Sequence, residues 1–195
     1  RPCLRVVVLA GDGDLAAIGW NHLIHAARRN VGITCVCFNN GIYGMTSGQY
    51  SPLTPAGFRT ATAPYGHLER EFDLCRLVQA AGATYVARST TYHVHQTIEY
   101  VARALTHDGF SFVEVLTQCP TYFGRRNRMA DTVRMLEWFR ERAVTVAQAG
   151  RMKPEELRGR VLIGEFHRTE EVPEYSRSYR DLIARLSGEG DGDGR

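Results

Sequence analysis

Residues 11–49 read GDGDLAAIGWNHLIHAARRNVGITCVCFNNGIYGMTSGQ, and this stretch decides the fold. The run before it, LRVVVLA at 4–10, is continuously apolar and bounded by Gly11, the pattern of a strand buried on both faces. After the glycine turn, apolar residues fall at Leu15, Ile18, Leu23, Ile24 and Ala27, a helical spacing. The segment closes on Arg28 and Arg29, cations that suit a helix C-terminus. ITCVCF at 33–38 is a second buried strand. A strand–helix–strand unit this compact predicts a parallel pair joined by a right-handed crossover. In such sheets ligands sit beyond the carboxyl ends of the strands, where Gly11–Asp14 and Asn39–Asn40 both fall.

That placement gives the polar residues a chemistry. Gly11 and Gly13 lack a Cβ, so an anion can approach their backbone closely. The helix that follows aims its N-terminal N–H groups and positive dipole end at the same place. Asp12 is a hard oxygen ligand on the turn, with helix capping as its alternative. Asn40 adds another oxygen. Mg²⁺ takes octahedral oxygen coordination and shares it with substrate phosphates. The stretch therefore reads as a site for Mg²⁺ and a diphosphate. A lone GDG is weak, but GDG followed by 25 residues and then NN is specific.

That spacing resembles the thiamine diphosphate fingerprint. Together with NNGIYGMTSGQYSPLTP and TQCPTYFGRRN, the chain resembles the β subunit of 2-oxoacid:ferredoxin oxidoreductases, the 2-oxoglutarate branch above all, up to about residue 180. The resemblance implies the thiamine-diphosphate-binding fold, here its diphosphate-binding module. It implies oxidative decarboxylation of a 2-oxoacid to acyl-CoA, with electrons passing to ferredoxin. It implies an α subunit that supplies the acid acting on the aminopyrimidine, and an αβ or (αβ)₂ assembly. Two rival readings stand beside it: a non-redox thiamine diphosphate decarboxylase or synthase, and a catalytically incompetent fragment.

The resemblance also distributes roles. Asp12, Asn40 and the backbone carbonyl of Ile42 would ligate Mg²⁺. Gly11, Gly13, Asp14, Gly44 and Met45 match cofactor-contacting positions, although Asp14 also suits a cap. Met45 would be the apolar wedge under the thiazolium, with ordinary packing as its alternative. Cys119 matches one of four cysteine ligands of a [4Fe–4S] cluster, which needs four thiolates in close reach. The family places the other three upstream of the glycine turn, and Cys3 does not match them, so the chain is expected to be truncated at its N-terminus. Arg125, Arg126 and Arg128 form a basic patch that either is solvated or docks acidic ferredoxin or CoA. Trp20 stands where relatives carry a small residue, a bulk that can crowd the turn helix. Ser47 stands where relatives often read Gly, near the expected substrate.

The rest of the chain continues the α/β pattern. Residues 41–66 have no clear periodicity, and a long irregular stretch in a compact domain is usually functional. Helices are predicted at 69–81, 93–107, 131–147 and 177–187. Strands are predicted at 83–88, at 110–116 and within EELRGRVLIGEFH. The whole reads as a doubly wound, mostly parallel sheet. Residues 1–150 form the cofactor-binding domain, 151–187 a C-terminal extension and 188–195 a disordered tail. His22 and His25 lack further zinc ligands and read as ordinary polar or core residues; His93 and His95 receive no role.

Composition bounds the function. A chain of 195 residues with 44% apolar content is one globular domain. A net charge of +3 without long basic blocks gives no argument for nucleic acid. No apolar run reaches membrane-span length and nothing reads as a signal peptide, so a soluble cytoplasmic protein is expected. The five cysteines form no CxxC pair, and Cys35 and Cys37 read as buried small hydrophobes.

Overall fold

The computed structural model describes residues 4–189. Its centre is a six-stranded sheet in the order β1-β2-β4-β3-β6-β5. The strands are β1 (Val6–Gly11), β2 (Ile33–Asn39), β3 (Tyr85–Thr90), β4 (Ser111–Leu116), β5 (Ala143–Thr145) and β6 (Val161–Arg168). The pairings β1–β2, β2–β4, β4–β3 and β5–β6 are parallel; β6 runs antiparallel to β3. The helices are α1 (Trp20–Arg28), α2 (Leu74–Ala80), α3 (Val94–Thr106), α4 (Thr132–Arg142), α5 (Val146–Ala149) and α6 (Tyr175–Glu189).

Period-two alternation on β2 sorts the two faces of the sheet. Cys35 and Cys37 point to one side, where Leu23 and Ala27 of α1 and Leu74, Cys75 and Val78 of α2 pack with Phe112. Val36 points to the other, where Ala104, Val101 and Tyr100 of α3 pack over Tyr85, Val113 and Val115. Helices therefore cover both faces, as the doubly wound reading requires. The cysteine thiols act as small hydrophobes: burial pushes Cys35 up to about 12 and Cys37 further still. Cys3 lies outside the described residues.

Four expectations change. β1 is an edge strand, exposed along most of its length (Val6 53%, Leu9 66%), and not buried on both faces. An apolar run reports hydrophobicity and cannot report how many neighbours a strand has. The turn helix divides at Gly19: residues Asp14–Ile18 form a π-helical turn, and α1 follows. A Cβ on Gly19 would fall on the Asp14 carbonyl oxygen. The helix predicted from residue 69 begins at Leu74, because the Asp73 side chain accepts from the Arg76 N–H and fixes the N-cap there. The helix predicted over 131–147 stops at Arg142. A short strand follows, and a capping box between Thr145 and Gln148 starts α5.

The polar stretch after residue 150 contributes β6 to the sheet interior, beside β3. Gly188 and Glu189 close α6, and the remainder of the predicted tail, 190–195, lies outside the described residues. No helix among the described residues is long and apolar enough to cross a membrane.

Candidate functional site

The strand register brings the sequence motif together. Gly11 pairs with Phe38, and Asn39 with Leu116, so three segments leave the sheet at one end. They are the glycine turn, the Asn39–Gly44 turn and the segment from Thr117 to a π-helical turn at Pro120–Gly124. Asp12 is 2% exposed. The Ser51 hydroxyl donates to its carboxylate, and the backbone N–H of Asn40 lies near enough to favour its charged form. Asp12 and Asn40, 28 positions apart in sequence, are thus in direct contact.

Desolvation dominates the Asp12 carboxyl and pushes it up to about 6, against the lowering effect of its neutral donors. The negative charge of Glu114 adds to the rise. No Lys, Arg or His pairs with Asp12 among the described residues. A buried carboxylate without a counter-charge is costly, and a cation beside it would lower that cost.

The neighbouring donors suit a hard cation. Asn40 Oδ1 accepts from the Ile42 N–H at 3.0 Å and keeps a second lone pair. The Ile42 carbonyl accepts no hydrogen bond from the described residues. A carboxylate, an amide oxygen and a backbone carbonyl are the kinds of oxygen with which Mg²⁺ is held alongside phosphates and water. No three His, Cys, Asp or Glu side chains cluster among the described residues, so any metal here needs those neutral oxygens.

The glycines have specific reasons. A Cβ on Gly13 would fall inside the Tyr43 ring, and the Tyr43 hydroxyl reaches the Gly13 carbonyl at 3.4 Å. Asp14 does not cap the turn helix. Its carboxylate reaches back to the Gly11 N–H at 3.0 Å, which occupies one of the donors the glycine turn offers. Gly44 lies between Asn40 and Cys119: a Cβ there would sit 3.8 Å from Asn40 Nδ2 and 3.9 Å from Cys119 Sγ. Met45 is 98% exposed and so packs against little among the described residues. Trp20 stacks on Phe72, with ring centroids 5.2 Å apart. Ser47 adopts φ +86°, a left-handed conformation that favours glycine. Arg125, Arg126 and Arg128 are exposed, as are His22 and His25.

Three contributors escaped the sequence reading: Ser51, Tyr43 and Glu114. Ser51 had a signal, since Ser51 and Thr54 flank a Pro-containing turn and bond each other. Glu114 sits in an apolar strand and is 2% exposed. It bonds Arg88 at 2.6 Å and Asn39 at 2.7 Å. A cavity of about 470 Å³ lies on the Glu114 side of the Asn39–Gly41 turn, walled by Phe123, Trp138 and Phe139. Asp12 and the glycine turn do not line it, but Asn39, Asn40 and Gly41 do, so it borders the candidate cation site on the Asn40 side.

Comparison with known proteins shows the family. Residues 1–115 match the family described as thiamine pyrophosphate enzyme, C-terminal TPP binding domain. The chain is 50% identical over 188 residues to the 2-oxoglutarate synthase subunit KorB of Methanothermobacter thermautotrophicus, covering 96% of this chain and 65% of that one. It is 48% identical over 189 residues to the KorB subunit of Methanocaldococcus jannaschii, covering 97% and 70%. It superposes on a chain of the 2-oxoglutarate:ferredoxin oxidoreductase from Magnetococcus marinus with a TM-score of 0.81 and 30% identity, covering 96% of this chain and 64% of that one. The chain thus spans about two thirds of the length of the relatives it matches. It belongs to the thiamine-pyrophosphate-binding family of 2-oxoglutarate synthase KorB subunits.

Proposed function

We propose that this chain is the diphosphate-binding β subunit of a 2-oxoacid:ferredoxin oxidoreductase that converts 2-oxoglutarate and CoA to the acyl-CoA, with ferredoxin as electron acceptor. The observation that carries this reading is the contact between Asp12 and Asn40 at the carboxyl ends of β1 and β2. The names of the relatives give the substrate class.

In this reading Asp12, Asn40 Oδ1 and the Ile42 carbonyl hold Mg²⁺, and the Gly11–Gly13 turn admits the diphosphate. Thiamine diphosphate, when bound, supplies the electron sink for decarboxylation. The protein's own part is to bind and orient it. Asp12 would hold the cation as a carboxylate, releasing to solvent any proton it carries, Tyr43 braces the glycine turn, and Met45 stands free to meet the cofactor ring. Cys119, one residue before Pro120 and beside Gly44, would be one ligand of a [4Fe–4S] cluster if three further cysteines are supplied upstream of the glycine turn. An α subunit completes the site, and the exposed arginines at 125, 126 and 128 attract an acidic carrier or CoA. The assembly works in the cytoplasm.

Calorimetric titration of the full chain with thiamine diphosphate, with and without Mg²⁺, tests the reading. Binding is expected only with Mg²⁺, and Asp12→Ala should weaken it on the order of 100-fold or more. Equal binding by wild type and Asp12→Ala would overturn the metal assignment.

A further inference from the structure

Glu114 touches none of the proposed ligands, yet a chain of hydrogen bonds runs from it to the turn that carries them. Arg88 Nε donates to Glu114 Oε2 at 2.6 Å, and Arg88 Nη2 donates to Asp73 Oδ1 at 2.5 Å. Asn39 Nδ2 donates to Glu114 Oε1 at 2.7 Å. The other end of the same amide, Asn39 Oδ1, accepts from the Gly41 N–H at 3.0 Å. Gly41 holds φ +70°, and its carbonyl accepts from Thr54 Oγ1 at 2.6 Å. The Gly41 peptide is thus gripped on both sides. Asn40 and Ile42 are its immediate neighbours.

The logic of the chain is donor against acceptor. An ionised carboxylate has no hydrogen to give, so Asn39 must turn its NH₂ toward Glu114. That leaves only Oδ1 to face Gly41, and a backbone N–H needs an acceptor. Arg88 offsets the buried charge of Glu114, whose side chain is 2% exposed. We infer that Glu114, through Asn39, is a positioning residue that sets the orientation of the Asn40–Ile42 ligand turn before any cation arrives. This rests on the Mg²⁺–diphosphate reading above and names a residue outside the ligand set.

Glu114→Gln is isosteric and still breaks the chain. If the new amide turns its oxygen to Arg88, its NH₂ faces Asn39. Asn39 must then flip and present NH₂ to the Gly41 N–H. If the new amide turns the other way, its NH₂ faces the Arg88 guanidinium. Either way two donors oppose each other. Adding Asn39→Asp cures the conflict. Arg88 donates to the new amide oxygen, and the new NH₂ donates to a carboxylate at position 39. That carboxylate also accepts from Gly41.

The experiment measures amide hydrogen exchange in the cofactor-free chain, alongside calorimetry with Mg²⁺ and thiamine diphosphate. Glu114→Gln should speed exchange at Gly41 and Ile42 and weaken Mg²⁺-dependent binding about 10-fold. Glu114→Gln with Asn39→Asp should restore the slow exchange at Gly41. A change in general packing would not be repaired by that second substitution. Unchanged exchange at Gly41 and Ile42 in Glu114→Gln, or no recovery in the double variant, overturns the inference and leaves the functional reading standing. Wild-type chain that binds thiamine diphosphate equally well without Mg²⁺ overturns the functional reading, and this inference with it.

Discussion

Two buried polar residues sit at opposite ends of the same sheet, and they are built on opposite principles. Asn30, 2% exposed, lies where β2 begins and is fully satisfied. Its Oδ1 accepts from Thr84 Oγ1 at 2.8 Å and from the Phe110 N–H at 2.7 Å. Its Nδ2 donates to the carbonyls of Val172 and Pro173. Its backbone carbonyl accepts from the Tyr175 N–H, so one amide ties together β2, β4 and the start of α6. Asp12, equally buried beyond the end of β1, has neutral donors and no cationic side chain beside it among the described residues. A satisfied buried amide holds a fold together; a buried carboxylate without a counter-charge is a cost that a bound cation would relieve. The contrast separates the end of the sheet that stabilises from the end we propose to bind the cation.

The comparison can be broken at either end. The largest expected effect is Asn30→Ala, which leaves the Phe110 N–H and two carbonyls unpaired. A loss of about 4 kcal/mol in denaturant unfolding is expected, with cofactor affinity unchanged at temperatures where the variant is folded. A loss below about 1 kcal/mol would mean that water replaces the amide and that this end is no keystone.

Next comes the pH dependence of Asp12. Its carboxyl is raised from 3.8 to about 6, so the folded chain holds the proton more tightly than the unfolded chain. The associated stability is fully present below the unfolded value near 3.8 and is lost as pH rises through about 6. At about 1.4 kcal/mol per pH unit, this group removes about 2 kcal/mol from the cofactor-free protein between pH 4 and 7. Asp12→Asn should flatten that slope and raise cofactor-free stability at pH 7, the opposite sign to Asn30→Ala. Urea titrations of wild type and variant at pH 4 and 7 measure both. Parallel pH profiles would show that Asp12 is not the group responsible. The smallest effect is at Ser47: Ser47→Gly should relieve the left-handed strain for a gain of about 0.5–1 kcal/mol in melting experiments.

Much of the fold was legible along the chain. The apolar runs at 33–38 and 110–116 became β2 and β4, and the helix predicted at 93–107 became Val94–Thr106. Periodicity worked there because each element buries one continuous pattern. It failed at 69–73 and 143–145, where single side chains, Asp73 and Thr145, capped helices that periodicity alone would have extended. It failed for β1 in another way. The residues VVVLA are as apolar as a central strand, yet β1 pairs with one neighbour among the described residues. In the site, Asp12 and Asn40 were readable as a spaced pair on a strand–helix–strand unit. Ser51 and Glu114 were not, since nothing local to either points to residue 12 or 39.

The sequence by itself determined the order of elements, the glycine turn, and the oxygen-bearing residues at the ends of two neighbouring strands. Those follow from local pattern and from the fixed handedness of the crossover. Only the tertiary structure decided that Asp12 is stripped of water, that Ser51 and the Asn40 N–H reach it, and that Glu114 orients Asn39. Desolvation and hydrogen-bond direction depend on which distant segments close over a group, and no local window of sequence contains that information.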